Sequence, residues 1–326
     1  MNARLRRLAV PALAVLLAAL LLAVRCVGNA QRAAREAAAA AATPDAESPR
    51  LVALSPGLTE TLCMLGLGGH LVGRTPWCDE PPSVTNLPCV FTSAGAVDLA
   101  ALKAVRPDFV LLPSPLAESP LHGALEKARV SHLAVKTDPL DDMLQGVYEL
   151  AARFDAVPMA DAWLEHVSEV FGRERERVAV AASAAGRTPR VLFVMGDAPD
   201  APGRVRVAGR QSYQSGVIEA IGAENACTNE AVSAIVPRAA VAAMRPDVVV
   251  EVRPKAADRP AAFYAALRAW AAEPFPALIS GDWHVTFGPG PLRPGPQIDR
   301  LAEAFGAHVR AWAEHAAVPP PDFAPR

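Results

Sequence analysis

The side chains that most often carry chemistry are present in this sequence, but they do not form a familiar catalytic motif. The seven histidines are dispersed, and no two of them stand four residues apart on one predicted helix. There is no glycine-rich phosphate loop, no cysteine pair at zinc-finger spacing and no Gly-x-Ser-x-Gly turn. Ser55 precedes Pro56 at the start of a predicted helix, where a serine usually caps the helix. These patterns favour a protein without catalytic activity.

The composition is that of an ordinary folded protein without a strong charge bias. Of 326 residues, 52% are hydrophobic and 20% are charged, which excludes a disordered chain. The formal net charge is -2, so the clustered positive charge that nucleic-acid binding requires is not expected. Five cysteines in a chain of this length do not make a disulfide scaffold. The length itself suggests about two domains.

Residues 1–30 are predicted to be a secretory signal peptide or an N-terminal anchor. Three arginines near the start precede an uncharged apolar run over 8–24, and small residues at Gly28 and Ala30 fit a cleavage site. The alternative is a retained anchor helix, although the run is short for a bilayer span. Both interpretations put the folded part outside the cytoplasm, in the periplasm or an equivalent compartment. This segment is the only expected membrane contact.

Between an alanine-rich tether at 31–49 and a proline-rich tail at 318–326, short apolar runs alternate with helical periodicity. This alternation predicts parallel sheets that are covered by helices on both faces. The triplet Arg-Pro-Asp occurs twice, at 106–108 and 245–247, each time between a predicted short helix and a buried strand. The shared context favours duplication of one lobe over chance.

A helical stretch separates the two copies. Apolar residues recur at helical spacing through 139–186, and the stripe from Pro158 to Ala185 predicts one helix about 42 Å long. A helix of that length suits a rigid connection between lobes. We therefore predict an α/β fold with an N-terminal lobe at 50–138, a helical linker, and a C-terminal lobe at 187–317. Each lobe has a central parallel sheet, and one long α-helix joins the two.

Several segments together carry a resemblance to a known family. They are the strand, helix and strand at 50–73, Thr75-Pro76-Trp77-Cys78-Asp79-Glu80-Pro81-Pro82, Gly222-Ala223-Glu224-Asn225, Ser280-Gly281-Asp282-Trp283 and Arg293-Pro294-Gly295-Pro296. Their order and spacing resemble those of periplasmic solute-binding proteins for metal chelates, the cobalamin and iron-siderophore type with a helical connection. The resemblance extends over 50–312 and implies two α/β lobes with the ligand in the cleft between them.

The resemblance also implies a set of ligand-binding residues. Trp77 occupies the place of a ligand-stacking aromatic, and Trp283 lies in a second-lobe loop whose counterpart faces the ligand. A planar metal macrocycle needs aromatic and apolar faces with a few polar groups at its rim. The faces are assigned to Trp77, Trp283, Met195 and Tyr213, the rim to Asp282 and Arg210, and an axial contact with the metal to His284.

The implied function is the capture of a metal chelate for an ABC importer, without catalysis and without a covalent cofactor. A cobalamin-like corrinoid is the first choice of ligand, and haem or a ferric siderophore is the next. We expect a monomer whose partners are this small molecule and an ABC permease, and no nucleic acid.

Two positions depart from the family pattern. Members usually carry a glutamate in each lobe, before the Pro-Asp strand, that docks onto permease arginines; here these positions hold Ala100 and Ala239. The alternative function is therefore a stand-alone chelate-binding or interaction module that has lost transporter docking. In addition, Cys78 and Cys89 bracket a proline-rich turn, and in an oxidising compartment we predict a disulfide between them.

Overall fold

The structure is a computed structural model that describes residues 48–198, 201–254 and 258–316. The predicted signal or anchor segment, the tether up to residue 47 and the proline-rich tail lie outside the described residues. Within the described ranges, no helix is both long enough and apolar enough to cross a membrane.

The first lobe contains a four-stranded parallel sheet in the order β2-β1-β3-β4. Strand β1 is completely buried, as expected for a strand that is covered on both faces. The first helix begins where predicted, because the Ser55 hydroxyl accepts a hydrogen bond from the backbone N–H of Leu58 at 3.2 Å. The elements are β1 (Leu51–Ala53), α1 (Pro56–Met64), β2 (Leu71–Gly73), α2 (Leu99–Ala104), β3 (Phe109–Pro113), α3 (Ser114–Ala117), α4 (Pro120–Lys127) and β4 (His132–Val135), with 3₁₀ turns at Gly68–His70 and Pro82–Asn86.

The second lobe contains a six-stranded sheet in which β10, β9, β5, β6 and β8 are neighbours in that order, and β7 pairs with β5. This sheet is mixed rather than parallel throughout, since β6 runs antiparallel to both β5 and β8. The short helix predicted before the second Arg-Pro-Asp triplet begins at Ala239, because the residues before it pair with β6 as a strand. The elements are β5 (Arg190–Asp197), β6 (Arg204–Ala208), α7 (Tyr213–Ala220), β7 (Glu224–Asn225), β8 (Ser233–Pro237), α8 (Ala239–Met244), β9 (Val248–Arg253), α9 (Arg259–Ala271), α10 (Pro276–Ser280), β10 (Trp283–Phe287), a 3₁₀ turn (Gly290–Leu292) and α11 (Ile298–Ala316).

Two consecutive helices, α5 (Leu140–Arg153) and α6 (Val157–Ala185), connect the lobes. Every strand of the first sheet precedes them and every strand of the second follows them, so the two sheets are linked by this one path. Helix α6 has 29 residues and ends at Gly186, whose φ of 70° is left-handed. The long helix predicted from Pro158 to Ala185 is confirmed to within one residue.

The two Arg-Pro-Asp triplets occupy equivalent places in the two lobes. The arginines of both triplets adopt left-handed backbone conformations, with φ of 44° and 52°. The Asp108 carboxylate accepts a hydrogen bond from the backbone N–H of Arg50 at 2.7 Å. In the second lobe, the Asp247 carboxylate accepts one from the backbone N–H of Arg190 at 2.9 Å. Each triplet therefore ties a short helix to the first strand of its lobe, which supports the predicted duplication.

Candidate functional site

The lobes meet near the carboxyl ends of parallel strands, and we call the region between them the cleft. The loop 288–297 follows β10 and contacts α1 of the first lobe, where a Cβ atom on Gly57 would lie 1.9 Å from the carbonyl oxygen of Pro294. At a second contact, the backbone N–H of Tyr213 donates to Asp138 Oδ1 at 2.7 Å. Open α/β sheets bind ligands outside the carboxyl ends of their strands. This cleft is therefore the candidate binding site.

Trp77 presents an aromatic face on the first-lobe side of the cleft. It follows β2 by four residues, and its side chain is 49% exposed. Its ring packs against Phe91, with the ring centroids 5.3 Å apart and the planes at 78°. Its backbone N–H donates to the Thr75 hydroxyl at 3.3 Å, which fixes the turn. An exposed indole supported in this way can stack on a planar ligand.

A buried ion pair joins the lobes next to Trp77. Arg293 donates from Nη1 to Glu60 Oε1 of α1 at 2.8 Å, and the two side chains are only 9% and 5% exposed. The same nitrogen lies 2.7 Å from Asp79 Oδ1, and Nη2 donates to the backbone oxygen of Trp77 at 3.1 Å. Burial raises the pKa of Glu60 above its ordinary value, against the lowering effect of Arg293. The sequence analysis did not identify this group.

A second set of charges lies at the carboxyl ends of β5, β8 and β9. Arg238 and Arg253 both pair with Asp197, the last residue of β5. Arg253 also pairs with Glu251, which is completely buried within the sheet. A buried carboxylate requires charged or hydrogen-bonding partners around it. Two arginines and two acids balance, so these four residues add no net charge to the second-lobe edge of the cleft.

Trp283 does not face the cleft. It is the first residue of β10 rather than part of a loop, and it is 8% exposed. Its indole N–H and that of Trp270 donate to Glu251 Oε2, at 2.9 and 2.7 Å. The prediction that Trp77 and Trp283 line the cleft together is therefore corrected. Trp283 belongs to the second-lobe core, and the loop after β10 begins only at Gly288.

Asp282 and His284 are engaged with the C-terminal helix α11. Asp282 is completely buried, accepts a hydrogen bond from Ser280 Oγ at 2.5 Å and lies 3.0 Å from Nδ1 of His315. His284 stacks on His308, with the ring centroids 3.8 Å apart. Burial lowers the pKa of His284 and lowers the pKa of His308 to about 4, which favours neutral rings at pH 7. The rim role of Asp282 is corrected accordingly, since its side chain is completely buried, and the axial role of His284 stays a prediction.

The other three predicted residues have different surroundings. Tyr213 is buried between the lobes and donates a hydrogen bond from its hydroxyl to the carbonyl oxygen of Pro291 at 2.7 Å. Burial raises the pKa of Tyr213 above its ordinary value. Met195 is half-buried and packs against the main core. Arg210 is exposed and pairs with Glu230 at 3.1 Å. The hydrogen bonds of Tyr213 place it between the lobes, and the ligand-binding roles of these three residues stay predictions.

Cys78 and Cys89 are not joined by a disulfide. Cys78 is buried, and its Sγ lies 3.1 Å from the hydroxyl oxygens of both Thr59 and Thr75. Cys89 is exposed, and its Sγ lies 3.9 Å from the backbone oxygen of Phe91. The predicted bond is therefore corrected, because the two sulfurs contact different parts of the lobe.

Ala100 and Ala239 are both exposed in the first turn of equivalent helices. Helices α2 and α8 have six residues each, and each is followed by an Arg-Pro-Asp triplet. Asp98 caps α2 by accepting a hydrogen bond from the backbone N–H of Ala100 at 2.9 Å. A longer side chain at either alanine would extend into solvent.

Two α/β lobes, one helical connection and a cleft at facing strand ends define a two-lobed ligand-binding protein. A family model described as periplasmic binding protein matches residues 51–271, which is more than half of the chain. The chain belongs to the periplasmic binding protein family. No curated protein sequence matches it significantly.

Several solved structures share the fold. The periplasmic haem-binding protein BhuT in complex with two haems has a TM-score of 0.65 at 22% identity, and the match covers 82% of this chain and 99% of that one. A periplasmic haem-binding protein from Pseudomonas aeruginosa has a TM-score of 0.67 at 24% identity, with 81% and 93% covered. The vitamin B12-binding protein BtuF of Vibrio cholerae has a TM-score of 0.61 at 18% identity, with 81% and 98% covered. At these identities the likeness establishes the fold alone.

Proposed function

We propose that this protein is the extracytoplasmic solute-binding component of an ABC importer and that its ligand is a metal chelate. A cobalamin-like corrinoid is the first choice, and haem or a ferric siderophore is the next. The observation that carries the proposal is the half-exposed indole of Trp77 at the cleft of a periplasmic binding protein. The protein acts by binding rather than by catalysis, in the periplasm or an equivalent compartment.

The surroundings of Trp77 suit a planar ligand. Its ring is supported by Phe91 on one side and leaves an aromatic face open to the cleft. Stacking between aromatic rings contributes about 0.5–1.5 kcal/mol beyond the burial of area. The similar structures whose printed descriptions name haem or vitamin B12 support a macrocyclic metal complex as the ligand.

One side chain favours a corrinoid over haem. Haem iron is usually held by an axial side chain of the protein, such as histidine or tyrosine. The Tyr213 hydroxyl donates to the carbonyl oxygen of Pro291. Burial raises the pKa of Tyr213 well above its ordinary value, so its phenol stays protonated. A chelate that completes the coordination of its own metal does not need this tyrosine.

Isothermal titration calorimetry of the purified protein with cyanocobalamin, haemin and a ferric hydroxamate siderophore tests the proposal. We expect saturable binding of one of the three, with cyanocobalamin the tightest. Trp77→Ala removes the stacking face and should weaken that binding about tenfold, the equivalent of roughly 1.4 kcal/mol. Tyr148→Ala removes an aromatic ring that is 42% exposed on α5 and serves as the matched control. If none of the three chelates binds with micromolar or tighter affinity, the proposal is contradicted.

The second candidate function is a stand-alone chelate-binding or interaction module. The observation that favours it is the pair of exposed alanines, Ala100 and Ala239, where the family resemblance implies docking glutamates. Both candidates share the chelate-binding cleft and differ in the permease. Co-purification with a permease and its ATPase favours the importer component, and chelate binding without such a partner favours the module.

A further inference from the structure

Four polar residues join the lobes beside Trp77, and we call Arg293, Glu60, Asp79 and Gln297 the clasp. Gln297 donates from Nε2 to Glu60 Oε2 at 2.7 Å, while Arg293 donates to Glu60 Oε1 at 2.8 Å. Each carboxylate oxygen of Glu60 therefore has its own donor from the second lobe. Both donors come from the segment after β10, and both acids come from the first lobe.

The burial of the clasp makes its partners interdependent. The side chains of Arg293 and Glu60 are 9% and 5% exposed, so neither charge is solvated by bulk water. Removal of one partner of a buried ion pair leaves an uncompensated charge. The Nε atom of Arg293 is buried without an acceptor among the described residues, so its two Nη atoms make the contacts that hold the guanidinium.

The clasp holds both ends of the segment that presents the aromatic face. Arg293 binds the backbone oxygen of Trp77 at 3.1 Å and the Asp79 carboxylate at 2.7 Å, two residues further on. The contact with Glu60 anchors the same guanidinium to α1. These three acceptor groups surround the planar guanidinium of Arg293, whose N–H donors have a fixed geometry. The position of the first-lobe aromatic therefore depends on a residue of the second lobe.

We infer that Arg293 is a positioning residue, which fixes the Trp77 turn in its ligand-facing orientation and couples that orientation to the arrangement of the lobes. The role in ligand affinity rests on the proposed function, whereas the role in turn order does not. Arg293 acts through the turn, and its own contacts are with protein atoms. An ion pair that merely stabilised the fold would affect all parts of the first lobe alike.

Hydrogen exchange of the full-length protein without ligand separates these roles. Arg293→Gln should accelerate exchange at the Trp77 and Cys78 amides, which donate to Thr75, by about tenfold or more relative to the amides of α4, as expected for the loss of charge-assisted hydrogen bonds. Arg293→Lys keeps the positive charge but loses the paired N–H donors of the guanidinium, so it should keep the fold and still loosen the Trp77 turn. Arg173→Gln, which breaks an exposed pair with Glu303 at 3.8 Å, is the matched control.

The same variants test the coupling to ligand binding. With a chelate that binds the wild type, Arg293→Lys should weaken binding by about tenfold, while Arg173→Gln should not change it. Unchanged exchange at the turn in a folded Arg293→Lys variant overturns the inference, whatever the ligand. If no chelate binds the wild type, the proposed function fails, and the exchange experiment still decides the role of the clasp. Faster exchange with unaltered affinity overturns the coupling alone.

Discussion

At the scale of single residues, Asp138 joins the lobes through a carboxylate that is unfavourable to ionise. It accepts a hydrogen bond from the backbone N–H of Tyr213 across the cleft. Burial raises the pKa of Asp138 from 3.8 to about 6, and that hydrogen bond opposes the rise. The folded protein thus retains a proton that the unfolded chain releases. The contribution of Asp138 to the free energy of unfolding therefore falls as the pH rises from 3.8 to about 6.

Asp138→Asn tests this effect, because it keeps an oxygen that can accept from Tyr213 and removes the charge. Above pH 6 we expect the variant to be more stable than the wild type by about 1–3 kcal/mol, allowing for partial solvation of the carboxylate. Near pH 4 the two proteins should have equal free energies of unfolding. Urea denaturation at both pH values measures the difference. Asp98→Asn alters a helix cap in the same lobe and is the control, and an equal gain for Asp138→Asn at both pH values contradicts the prediction.

At the scale of elements, α7 of the second lobe approaches α5 through a glycine. A Cβ atom on Gly216 would lie 2.4 Å from the Cβ of Leu140, which is too close for two carbon atoms. The contact brings the first residue of α5 against the first turns of α7. The absence of a side chain at Gly216 therefore sets the distance between these helices, and thereby the distance between the two sides of the cleft.

Gly216→Ala and Gly172→Ala form a matched pair that tests this contact. Alanine is the better helix former, so by propensity alone each change should stabilise the protein by up to about 1 kcal/mol. A Cβ atom on Gly172 would meet no atom of the described residues within 4 Å, apart from its own helix backbone and chain neighbours. We therefore expect Gly172→Ala to stabilise the protein. At Gly216 we expect a loss of about 1–3 kcal/mol, because the new methyl group forces the helices apart. Chemical denaturation measures both, and a gain at both positions contradicts the prediction.

Elements whose limits depend on near neighbours could be predicted from the sequence. Helix α6 matched because its buried positions recur at helical spacing, with the charged Glu174 among them, until Gly186 ends the helix. The cap at Ser55 matched because a cap is decided within three residues. The repeated Arg-Pro-Asp triplets indicated two related lobes because each triplet and its flanking elements are close in the sequence.

The charge groups of the cleft could not be predicted in this way. Glu60 and Arg293 are separated by 233 residues, and no local pattern relates them. Glu251 lies among the valines of β9, and its position beside Trp283 follows only from the pairing of β9 with β10. The family resemblance implied a loop at Trp283, but α10 ends at Ser280 and the strand starts at Trp283. Tertiary pairing therefore decided the parts of the site that the sequence analysis missed.

At the scale of the whole molecule, we propose that the exposed starts of α2 and α8 face the permease. Charge pairs across an interface fix register, and an unpaired buried arginine on the partner costs about 2–5 kcal/mol. The double change Ala100→Glu and Ala239→Glu should therefore strengthen binding to a permease that carries the docking arginines. It should not strengthen binding to a native partner that lacks them.

Surface plasmon resonance against permeases in nanodiscs, at two salt concentrations, measures this difference. Both alanines are exposed, so the free energy of unfolding should change by no more than about 0.5 kcal/mol. Val180→Glu, at a site on α6 that is 72% exposed, adds a negative charge elsewhere and is the control. Tight, salt-sensitive binding of the unaltered protein to an arginine-bearing permease contradicts the prediction.

The single helical path between the sheets restricts relative motion of the lobes. Trp163 of α6 donates its indole N–H to the carbonyl oxygen of Pro296 at 3.2 Å, which ties this path to the loop that contacts α1. Since the clasp adds a buried ion pair nearby, we expect the radius of gyration to change by less than about 0.5 Å when a chelate binds. Small-angle scattering with and without ligand measures it. Gly57→Ala displaces Pro294 and should increase the radius without ligand. A closure of about 1.5 Å or more would mean that a hinge, rather than a rigid helix, connects the lobes.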